Sequence, residues 1–399
     1  MMNKTDKKIK MVKLGDVVDI NPRFDNSISI DSTVSFVPMA GVSENGCLLF
    51  EESRKLDEVK KGYRYFQRGD VLLAKITPCM ENGKASPTNL LENEIGFGST
   101  EFHVLRATEQ INWRYLFYMV WNDLFRANAK KKMTGAAGQK RISTAFLSSY
   151  KIPLPPLAEQ KRIAEILDLA DEARRKRKKN LALYDDLIRS LFLKTFGDPV
   201  NNQYNFSRGT IRELINEVKY GTSKKADTSK GEYPVLRMGN ITYDGNWNFS
   251  SLKYCDLEKE ELDKYLVHNG DMLFNRTNSR ELVGKTAVFR EKNPMAYAGY
   301  LIRVRPNKYA NIEFLSAHLN SKWAKQYLSA KCKSIVGMAN INAQELQDIP
   351  ILIPPLDLQN QFAKQVEEIN QQKAREQALY DQHDNLFNAL LQRAFKEML

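Results

Sequence analysis

Two proline-rich segments decide the architecture of this 399-residue chain, KIPLPPLAEQ at residues 151–160 and PILIPPLDLQ at residues 350–359. Pro155 in the first segment corresponds to Pro354 in the second, 199 positions later. Similarity at one long and constant interval is typical of a duplicated domain, whereas solenoid repeats recur about every 20–50 residues. The sequence therefore predicts two related copies in tandem.

Further matches keep the two copies in register. PMAGVSENG at residues 38–46 corresponds to RMGNITYDG at residues 237–245, again 199 positions later. Gly69-Asp70 corresponds to Gly270-Asp271 at an offset of 201, so the second copy carries two extra residues locally. For each copy we predict an irregular α+β fold. The predicted elements are strands over residues 70–76 and 271–277 and helices over residues 113–128 and 312–330.

Each proline segment is followed by 40 residues without Pro or Gly, 157–196 and 356–395. Forty helical residues span about 60 Å. Apolar side chains recur there every three or four positions, as in a coiled-coil seam. These positions are Ile163, Leu167, Ala170, Leu181, Tyr184, Ile188 and Leu191, then Phe362, Val366, Ile369, Tyr380, Phe387 and Leu390. The alternative is a pair of unrelated amphipathic surface helices.

A polar pair interrupts the middle of this seam. Arg177 occupies a seam position, and Glu376 lies 199 positions later. If a pseudo-twofold axis relates the copies, the helices form an antiparallel coiled coil and these two side chains face each other. A buried polar pair of this kind usually fixes register at some cost in stability. The same arrangement predicts that Ile163 lies near Leu390 and that Leu191 lies near Phe362.

The charge balance favours a polyanionic partner. Sixty Lys and Arg against forty-eight Asp and Glu leave a formal charge of +12, and nucleic acid is the commonest partner of such a surplus. Simple solubility charge is the alternative. Six consecutive basic residues at 174–179 fit contact with phosphates, a dock for an acidic partner, or a solvated face.

Cysteine usage and the chain's polarity indicate an intracellular protein. The four cysteines (Cys47, Cys79, Cys255 and Cys332) show no CxxC spacing, so we expect neither a zinc site nor disulfides. No apolar stretch is long enough for a membrane helix, and we expect a cytoplasmic protein without a membrane partner. We expect no metal or cofactor.

Polar loops that follow the Gly-Asp strands are the first candidates for nucleic-acid contact, because Arg, Lys, Asn and Gln bond base edges and phosphates. A second candidate group precedes each proline segment. In the first copy the candidates are Lys75, Asn82, Lys84, Gln139, Lys140 and Arg141. In the second copy they are Arg276, Asn278, Arg280, Lys285, Asn340 and Asn342. For any one of them, an exposed solvated side chain is the alternative.

The chain as a whole resembles the specificity subunits of type I restriction-modification systems. IPLPPLAEQKRIAEIL at residues 152–167 and its weaker copy at 351–366 carry the resemblance most specifically, together with the GDVLLAK and GDMLFNR steps. GAAGQKRIS at residues 135–143 and VGMANINAQELQDIPI at 336–351 are similar to the segments that lead into the family's conserved helices. The second proline segment continues as LDLQNQ and keeps only part of the pattern, so partner affinity could differ between the halves.

This resemblance implies a non-catalytic subunit with two target-recognition domains, each reading one half of a split, asymmetric site in double-stranded DNA. It also implies helices that set the spacing and dock two modification subunits, with restriction subunits completing the complex. The division that follows is residues 1–152 and 198–351 for the recognition domains and residues 153–197 and 352–399 for the helices.

Catalytic motifs do not emerge from the sequence. Asn21-Pro22-Arg23-Phe24 only approximates the loop of an amino-methyltransferase, there is no P-loop, and Glu58-Val59-Lys60 is a triplet that a highly charged chain produces freely. The four histidines (His103, His268, His318 and His383) lie far apart in sequence. Two alternatives stay open, a coiled-coil scaffold with protein-binding ends and a methyltransferase or nuclease with an unrecognised site.

Overall fold

The computed structural model describes residues 9–24, 29, 31–136, 138–335 and 338–396. Contacts between residues divide this part of the chain into two compact units. Unit 1 comprises residues up to 176 together with the segment from 379 onward, and unit 2 comprises residues 177–378. Each unit therefore contains one globular region and portions of both long helices.

Unit 1 is built from short strands and helices. Its strands are β1 Lys10–Lys13, β2 Val18–Ile20, β3 Thr33–Val37, β4 Glu52–Lys55, β5 Arg64–Gln67, β6 Val71–Ala74, β7 Ala85–Pro87, β8 Ile95–Gly98, β9 Phe102–Ala107 and β10 Lys151–Leu154. Its helices are α1 Leu56–Val59, α2 Trp113–Trp121, α3 Asp123–Lys132 and α4 Thr144–Ser149, followed by the start of α5 Leu157–Phe196. The strands form sheets in the orders β2-β9-β6-β7, β4-β3-β8-β5 and β1-β10.

Unit 2 repeats this plan. Its strands are β11 Ser207–Thr210, β12 Ile215–Tyr220, β13 Tyr233–Leu236, β14 Lys253–Cys255, β15 Leu266–Val267, β16 Met272–Asn275, β17 Thr277–Asn278, β18 Thr286–Val288, β19 Met295–Tyr297, β20 Leu301–Pro306, β21 Lys333–Ile335, β22 Met338–Asn340 and β23 Pro350–Ile353. Its helices are α6 Leu262–Tyr265, α7 Ile312–Asn320, α8 Lys322–Lys331 and α9 Ala343–Gln347, followed by the start of α10 Leu356–Lys396.

The strand orders of the two units correspond element by element. The sheets β12-β20-β16-β18, β14-β13-β19-β15 and β11-β23 of unit 2 match the three sheets of unit 1. Even the parallel pair recurs, as β3 with β8 and as β13 with β19. The predicted duplication and the mixed α/β character are therefore confirmed. Unit 2 adds a sheet in the order β17-β22-β21, which has no counterpart among the described residues of unit 1.

A buried aspartate explains the repeated Gly-Asp step. The Asp70 carboxylate accepts the Gln67 N–H at 2.8 Å and is held by Arg106 at 2.8 Å. Asp271 is held in the same way by the His268 N–H at 2.9 Å and by Arg305 at 2.6 Å. The glycine before each aspartate has a φ of +90°, a conformation that L side chains rarely adopt. These contacts fix the entry into the central strands β6 and β16.

A buried glutamine explains the proline segments. The Gln160 side chain is fully buried, accepts the Asn112 N–H at 2.8 Å and donates to the carbonyls of Gln110 and Pro155. Gln359, 199 positions later, makes the equivalent three bonds to Asn311, Tyr309 and Pro354. In each unit the glutamine ties the start of the long helix to the loop before α2 or α7.

The long helices begin at the predicted residues, and α10 ends one residue beyond the prediction at Lys396. The stretches predicted over 113–128 and 312–330 are helical, but each is divided into two helices at one residue. Asn122 adopts an extended backbone conformation, and its side chain caps α3 by accepting the Phe125 N–H at 2.9 Å. Ser321 caps α8 in the same way through the Ala324 N–H. Side-chain capping thus overrides the continuous apolar pattern.

Candidate nucleic-acid interface

Two predicted polar segments of unit 1 lie side by side. The loop after β6 receives the segment before α4, because the Thr77 N–H donates to the Lys140 carbonyl and the Ile142 N–H donates to the Lys75 carbonyl, both at 2.9 Å. Gln139 and Lys140 are exposed. The first candidate surface is defined here as Lys75, Glu101, Gln139, Lys140 and Arg141.

The first candidate surface concentrates positive charge around one carboxylate. Arg141 makes a bidentate pair with Glu101 at 2.9 and 3.0 Å, which holds the pKa of Glu101 below its usual value. Partial burial lowers the pKa of Lys75, opposed by the charge of Glu101 and reinforced by the cations Arg64 and Arg141. An anion placed here would relieve the repulsion among the three cations.

The equivalent segments of unit 2 also meet. The Ile341 N–H donates to the Arg276 carbonyl at 2.9 Å, and Thr277 pairs with Asn340 between β17 and β22. The Thr277 hydroxyl donates to the Asn340 side-chain oxygen at 3.2 Å. The second candidate surface is defined here as Tyr220, Arg276, Asn278, Tyr300 and Asn340.

An arginine held over a tyrosine distinguishes the second candidate surface. The Arg276 guanidinium lies over the Tyr220 ring, 4.8 Å from its centroid, and the Tyr220 hydroxyl accepts the Ala343 N–H at 2.8 Å. The Arg276 Nε is shielded from solvent and finds no acceptor among the described residues. A stacked guanidinium of this kind is oriented in advance for planar, bidentate recognition.

Three of the residues predicted to contact DNA form hydrogen bonds with other groups of the protein. The ammonium of Lys84 donates to the Met39 carbonyl at 3.2 Å, and that of Lys285 donates to the Met238 carbonyl at 2.9 Å. Lys285 is buried, which lowers its pKa. The Asn342 side chain caps α9 by accepting the Glu345 N–H.

Two other predicted side chains lie at the surface with partners of their own. Asn82 donates to Glu44 at 2.8 Å, and Arg280 donates to the Ser329 carbonyl at 2.8 Å. Both residues are exposed. Part of two motifs, Ala137 in the first and Val336-Gly337 in the second, lies outside the described residues.

Sequence reasoning did not single out Glu101, Tyr220 or Tyr300. Glu101 and Tyr300 occupy equivalent positions, 199 residues apart, immediately before β9 and β20. They border the surfaces only because β9 and β20 lie beside β6 and β16, an order that the sequence does not reveal. The signal available in the sequence was that Glu101 aligns with the aromatic residue Tyr300 when the two copies are superimposed.

The basic run divides between two environments. Arg174 and Arg175 in unit 1 both bond Asp171, and Arg177 in unit 2 bonds Glu376. Lys176, Lys178 and Lys179 are exposed. Lys176 also pairs with Glu172 at 2.7 Å. The three arginines and Lys176 are therefore paired with the protein's own carboxylates, and the three lysines lie at the surface.

Within unit 1, the start of α5 and the end of α10 share one apolar cluster that contains Ile163, Leu167, Phe387 and Leu391. At its edge, Arg174 bonds Asp384 at 2.9 Å and lies 4.1 Å from the centroid of the Phe387 ring. The side chains are 13% and 32% exposed, so the ion pair is largely shielded from water.

Within unit 2, the end of α5 meets the start of α10. Phe192 and Phe196 lie 6.0 and 5.2 Å from Phe362 between ring centroids. Lys373 bonds Asp185, and these two positions are the internal equivalents of Arg174 and Asp384. The predicted polar partners also meet, since Arg177 Nη1 lies 2.8 Å from Glu376 Oε2. The two predicted apolar neighbours, Leu191 and Phe362, belong to one cluster.

The part of the chain that the structure describes contains neither a metal-binding cluster nor a membrane-spanning helix. No group of three or more His, Cys, Asp or Glu side chains there is arranged to hold a metal ion. None of the described helices combines the length and apolarity that a membrane crossing requires.

Comparison with known proteins finds one family. The profile described as "Type I restriction modification DNA specificity domain" matches residues 6–183 and again residues 206–382. The EcoEI specificity subunit of a type I restriction enzyme from Escherichia coli is 27% identical, over 96% of this chain and 82% of that protein. The EcoAI specificity subunit, also from Escherichia coli, is 38% identical over 46% of this chain and 32% of that protein.

A solved structure supports the fold. A chain from work on complex assembly and conformational transition of the type I R-M system is 20% identical and superposes with a TM-score of 0.57, over 100% of both chains. At this identity the likeness concerns the fold alone.

Proposed function

The chain belongs to the type I restriction-modification DNA specificity family, and on that premise we propose that each unit reads one half of a split, asymmetric site in double-stranded DNA. It is a DNA-recognition subunit and not the catalytic one. The first and second candidate surfaces are the proposed readers. Their unlike side chains would give the two halves of the site unlike sequences.

One observation carries the proposal. In both units the residue after the central strand, Lys75 or Arg276, receives a backbone hydrogen bond from a polar segment more than 60 residues further along the chain. Folding thus gathers separate polar segments at the same end of equivalent sheets. Such a cluster offers donors to base edges beside cations for phosphates.

The two surfaces favour different chemistry. In the first, Lys75 and Lys140 supply positive charge, while Arg141 is partly neutralised by Glu101. In the second, the Arg276 guanidinium over Tyr220 has the planar fork that commonly recognises guanine. Gln139, Asn278 and Asn340 add amide groups for base edges. We assign Lys84, Lys285 and Asn342 to anchoring the loops, because their polar groups bond the protein itself.

We propose further that α5 and α10 pair as an antiparallel coiled coil with pseudo-twofold symmetry. The supporting contacts run in opposite directions along the two helices, with Arg174 near Asp384 in unit 1 and Arg177 near Glu376 in unit 2. In this role Arg177 and Glu376 fix the register. The helices would then hold the readers at a set spacing, and a spacing of about 34 Å presents both to one face of DNA.

Partners follow from the family and from side chains left exposed on the helices. Leu169 is 68% exposed, and Leu183 and Leu187 are 54% and 49% exposed. Exposed leucines at helical spacing are typical of a surface that another helix covers. We propose that the helices dock two modification subunits, that restriction subunits join this assembly, and that it works in the cytoplasm. Residues 1–152 and 198–351 are the proposed recognition domains, with 153–197 and 352–399 as the spacer helices.

The proposal is tested by expressing the chain with the modification subunit of its own system and mapping methylated bases across the host DNA. We expect one split, asymmetric motif that disappears when this chain is omitted. Methylation that persists without the chain, or that follows no motif, would contradict the proposal and favour a scaffold.

A residue-level test uses salt dependence. Lys140→Ala should reduce the slope of log affinity against log salt by about one, because one phosphate contact is lost. Lys84→Met is the matched control, since its ammonium bonds the Met39 carbonyl and should leave the slope unchanged. Equal slopes for wild type and Lys140→Ala would remove Lys140 from the interface.

A further inference from the structure

Arg141 of the first candidate surface is fixed at both its backbone and its side chain. Its N–H donates to the Thr134 carbonyl at 2.8 Å, and its carbonyl accepts the Thr134 N–H at 3.0 Å. The guanidinium donates to Glu101 from Nε to Oε2 at 2.9 Å and from Nη2 to Oε1 at 3.0 Å. The Arg141 and Glu101 side chains are 41% and 27% exposed. The guanidinium is therefore held in one orientation and is still accessible to a ligand.

Glu101 is itself anchored, so its carboxylate can orient the arginine. The Glu101 carbonyl accepts the Lys75 N–H at 2.9 Å, which ties it to the residue after β6. The Glu101 N–H donates to the Ser99 hydroxyl at 3.2 Å. Because both backbone groups of Glu101 are bonded, the position of its carboxylate is set by the sheet and not by the loop that carries Arg141.

The contacts within the protein leave two donors of Arg141 unused. A guanidinium carries five N–H groups. Glu101 accepts two of them, and the Gln139 carbonyl accepts one from Nη1 at 3.0 Å. One N–H on Nη1 and one on Nη2 therefore have no acceptor among the described residues. Two donors on neighbouring nitrogens match two acceptors on one planar edge, as in O6 and N7 of guanine.

Charge favours a base edge over a phosphate as the ligand of this fork. Arg141 and Glu101 together are neutral, and the carboxylate would repel a phosphate placed beside it. A base edge has no formal charge, so this repulsion does not apply. Lys140 is exposed and pairs with no carboxylate among the described residues, which makes it the better phosphate ligand.

The equivalent positions of unit 2 do not carry this pair. Glu101 corresponds to Tyr300, and Arg141 corresponds to Asn340, each 199 positions later. The Asn340 side-chain oxygen accepts the Thr277 hydroxyl at 3.2 Å. A change at Arg141 should therefore affect the half-site that unit 1 reads and leave the other half unchanged.

The geometry points to Arg141 as the residue with which unit 1 reads a guanine in the major groove, and to Glu101 as the positioning residue that orients its guanidinium. This inference rests on the proposed DNA recognition and names one base within it. The half-site of unit 1 should contain a G·C pair that is distinguished through Arg141.

The test uses the full chain purified with the modification subunit of its own system, and duplexes in which each base pair of the mapped motif is replaced in turn. For wild type we expect that replacing one G·C pair by A·T weakens binding about tenfold or more. Arg141→Met should remove the penalty at that pair and keep the penalties elsewhere, and Glu101→Gln should reduce the same penalty by less. A uniform loss of affinity for all duplexes, or unchanged penalties, would overturn the assignment.

A modified base tests the atom that is contacted. Placing 7-deazaguanine at the same pair removes the N7 acceptor and keeps Watson–Crick pairing. We expect wild type to bind this duplex about tenfold more weakly, because a charged donor loses its acceptor, and Arg141→Met to bind both duplexes equally. An analogue that weakens wild type and Arg141→Met by the same factor would overturn the assignment.

A gain of altered specificity is the sharpest readout, because a merely structural role would not produce it. Glutamine bonds adenine in the way that arginine bonds guanine, so Arg141→Gln should change one guanine of the methylated motif to adenine. Arg162→Gln is the matched control and should leave the motif unchanged, since Arg162 pairs with Glu159 through the same two nitrogens but on α5. An Arg141→Gln motif identical to that of wild type would contradict the inference. If methylation is too weak to map, the duplexes decide.

Failure of this inference is distinguishable from failure of the proposed function. A wild-type complex that shows no base dependence at any position would contradict DNA recognition itself. A wild-type complex with a clear motif, all of whose penalties survive in Arg141→Met, would contradict only the assignment of Arg141.

Discussion

The first and second candidate surfaces occupy the same place in two copies of one fold, yet their chemistry differs. Lys75 and Arg276 are equivalent and both are cationic. In unit 1, Glu101 pairs with Arg141. The equivalent residues in unit 2 are Tyr300 and Asn340, which are uncharged. The framework beneath them is unchanged, since each unit keeps its buried Gln and its buried Asp that pairs with an Arg. Buried polar contacts thus hold the scaffold, which leaves the surface loops able to diverge.

The largest expected effect concerns His318, a buried histidine of unit 2 whose position in unit 1 is not a histidine. His318 donates to the Pro350 carbonyl, and burial lowers its pKa to about 4, whereas the equivalent residue in unit 1 is Met119. An unfolded histidine has a pKa of about 6.5, so the unfolded chain gains a proton before the folded one as the pH falls. Unit 2 should therefore lose about 3 kcal/mol between pH 6.5 and pH 4.

His318→Met should remove this dependence. Chemical denaturation at a series of pH values, with hydrogen exchange to report unit 2, measures the free energy of unfolding. At pH 7 we expect the variant to be about 1 kcal/mol less stable, because the Pro350 carbonyl loses its donor. A variant whose pH dependence equals that of wild type would show that His318 is not the titrating group.

The second effect concerns Arg177 and its equivalent in the other copy, Glu376, which carry opposite charges. Glu376→Lys would place an ammonium beside Arg177, and we expect a loss of about 2 kcal/mol, discounted because Arg177 is half-buried. The double variant Arg177→Glu with Glu376→Lys should recover most of it. A double-mutant cycle on unfolding free energies measures the coupling, and additive losses would argue against a role in register.

The third effect concerns a contact that both copies share, the buried glutamine at the start of each long helix. Gln160→Ala and Gln359→Ala each remove three hydrogen bonds from a buried site, and each should cost about 1.5 kcal/mol. Hydrogen exchange should report the first loss in unit 1 and the second in unit 2. A loss confined to one of the two variants would mean that the shared motif is an anchor in that unit alone.

The smallest effect is a response to acid that we expect in the first candidate surface, which contains Glu101, and not in the second. The pKa of Glu101 is depressed by Arg141, so its stabilising contact is present above the usual glutamate pKa and is lost as the pH falls through the depressed value. Hydrogen exchange around Gln139 should then accelerate, while exchange at Asn340 stays constant. Glu101→Gln should abolish the acid response, and a response that survives this change would assign it to another group.

The sequence predicts the features that depend on periodicity and repetition. The long helices follow from 40 residues free of Pro and Gly, and the tandem copies follow from Pro155 and Pro354 in register. Local polarity also predicted Lys140 and Arg276 as surface groups. These inferences need only short-range rules or internal alignment.

Features that depend on strand order could not be predicted from the sequence. Glu101 reaches Arg141 because β9 lies beside β6, and no local pattern reveals this neighbour. For the same reason Lys285, which reads as a loop cation, is buried against the Met238 carbonyl.

The central claim, that each unit reads one half of the DNA site, is tested most directly by exchanging one unit's reader. Residues 1–150 would be replaced by the corresponding region of a relative with a different recognition motif, and methylated bases would be mapped in cells that also express the modification subunit. The account predicts that one half of the motif changes while the other half and the spacing between them persist. A change in both halves, or in neither, would contradict it.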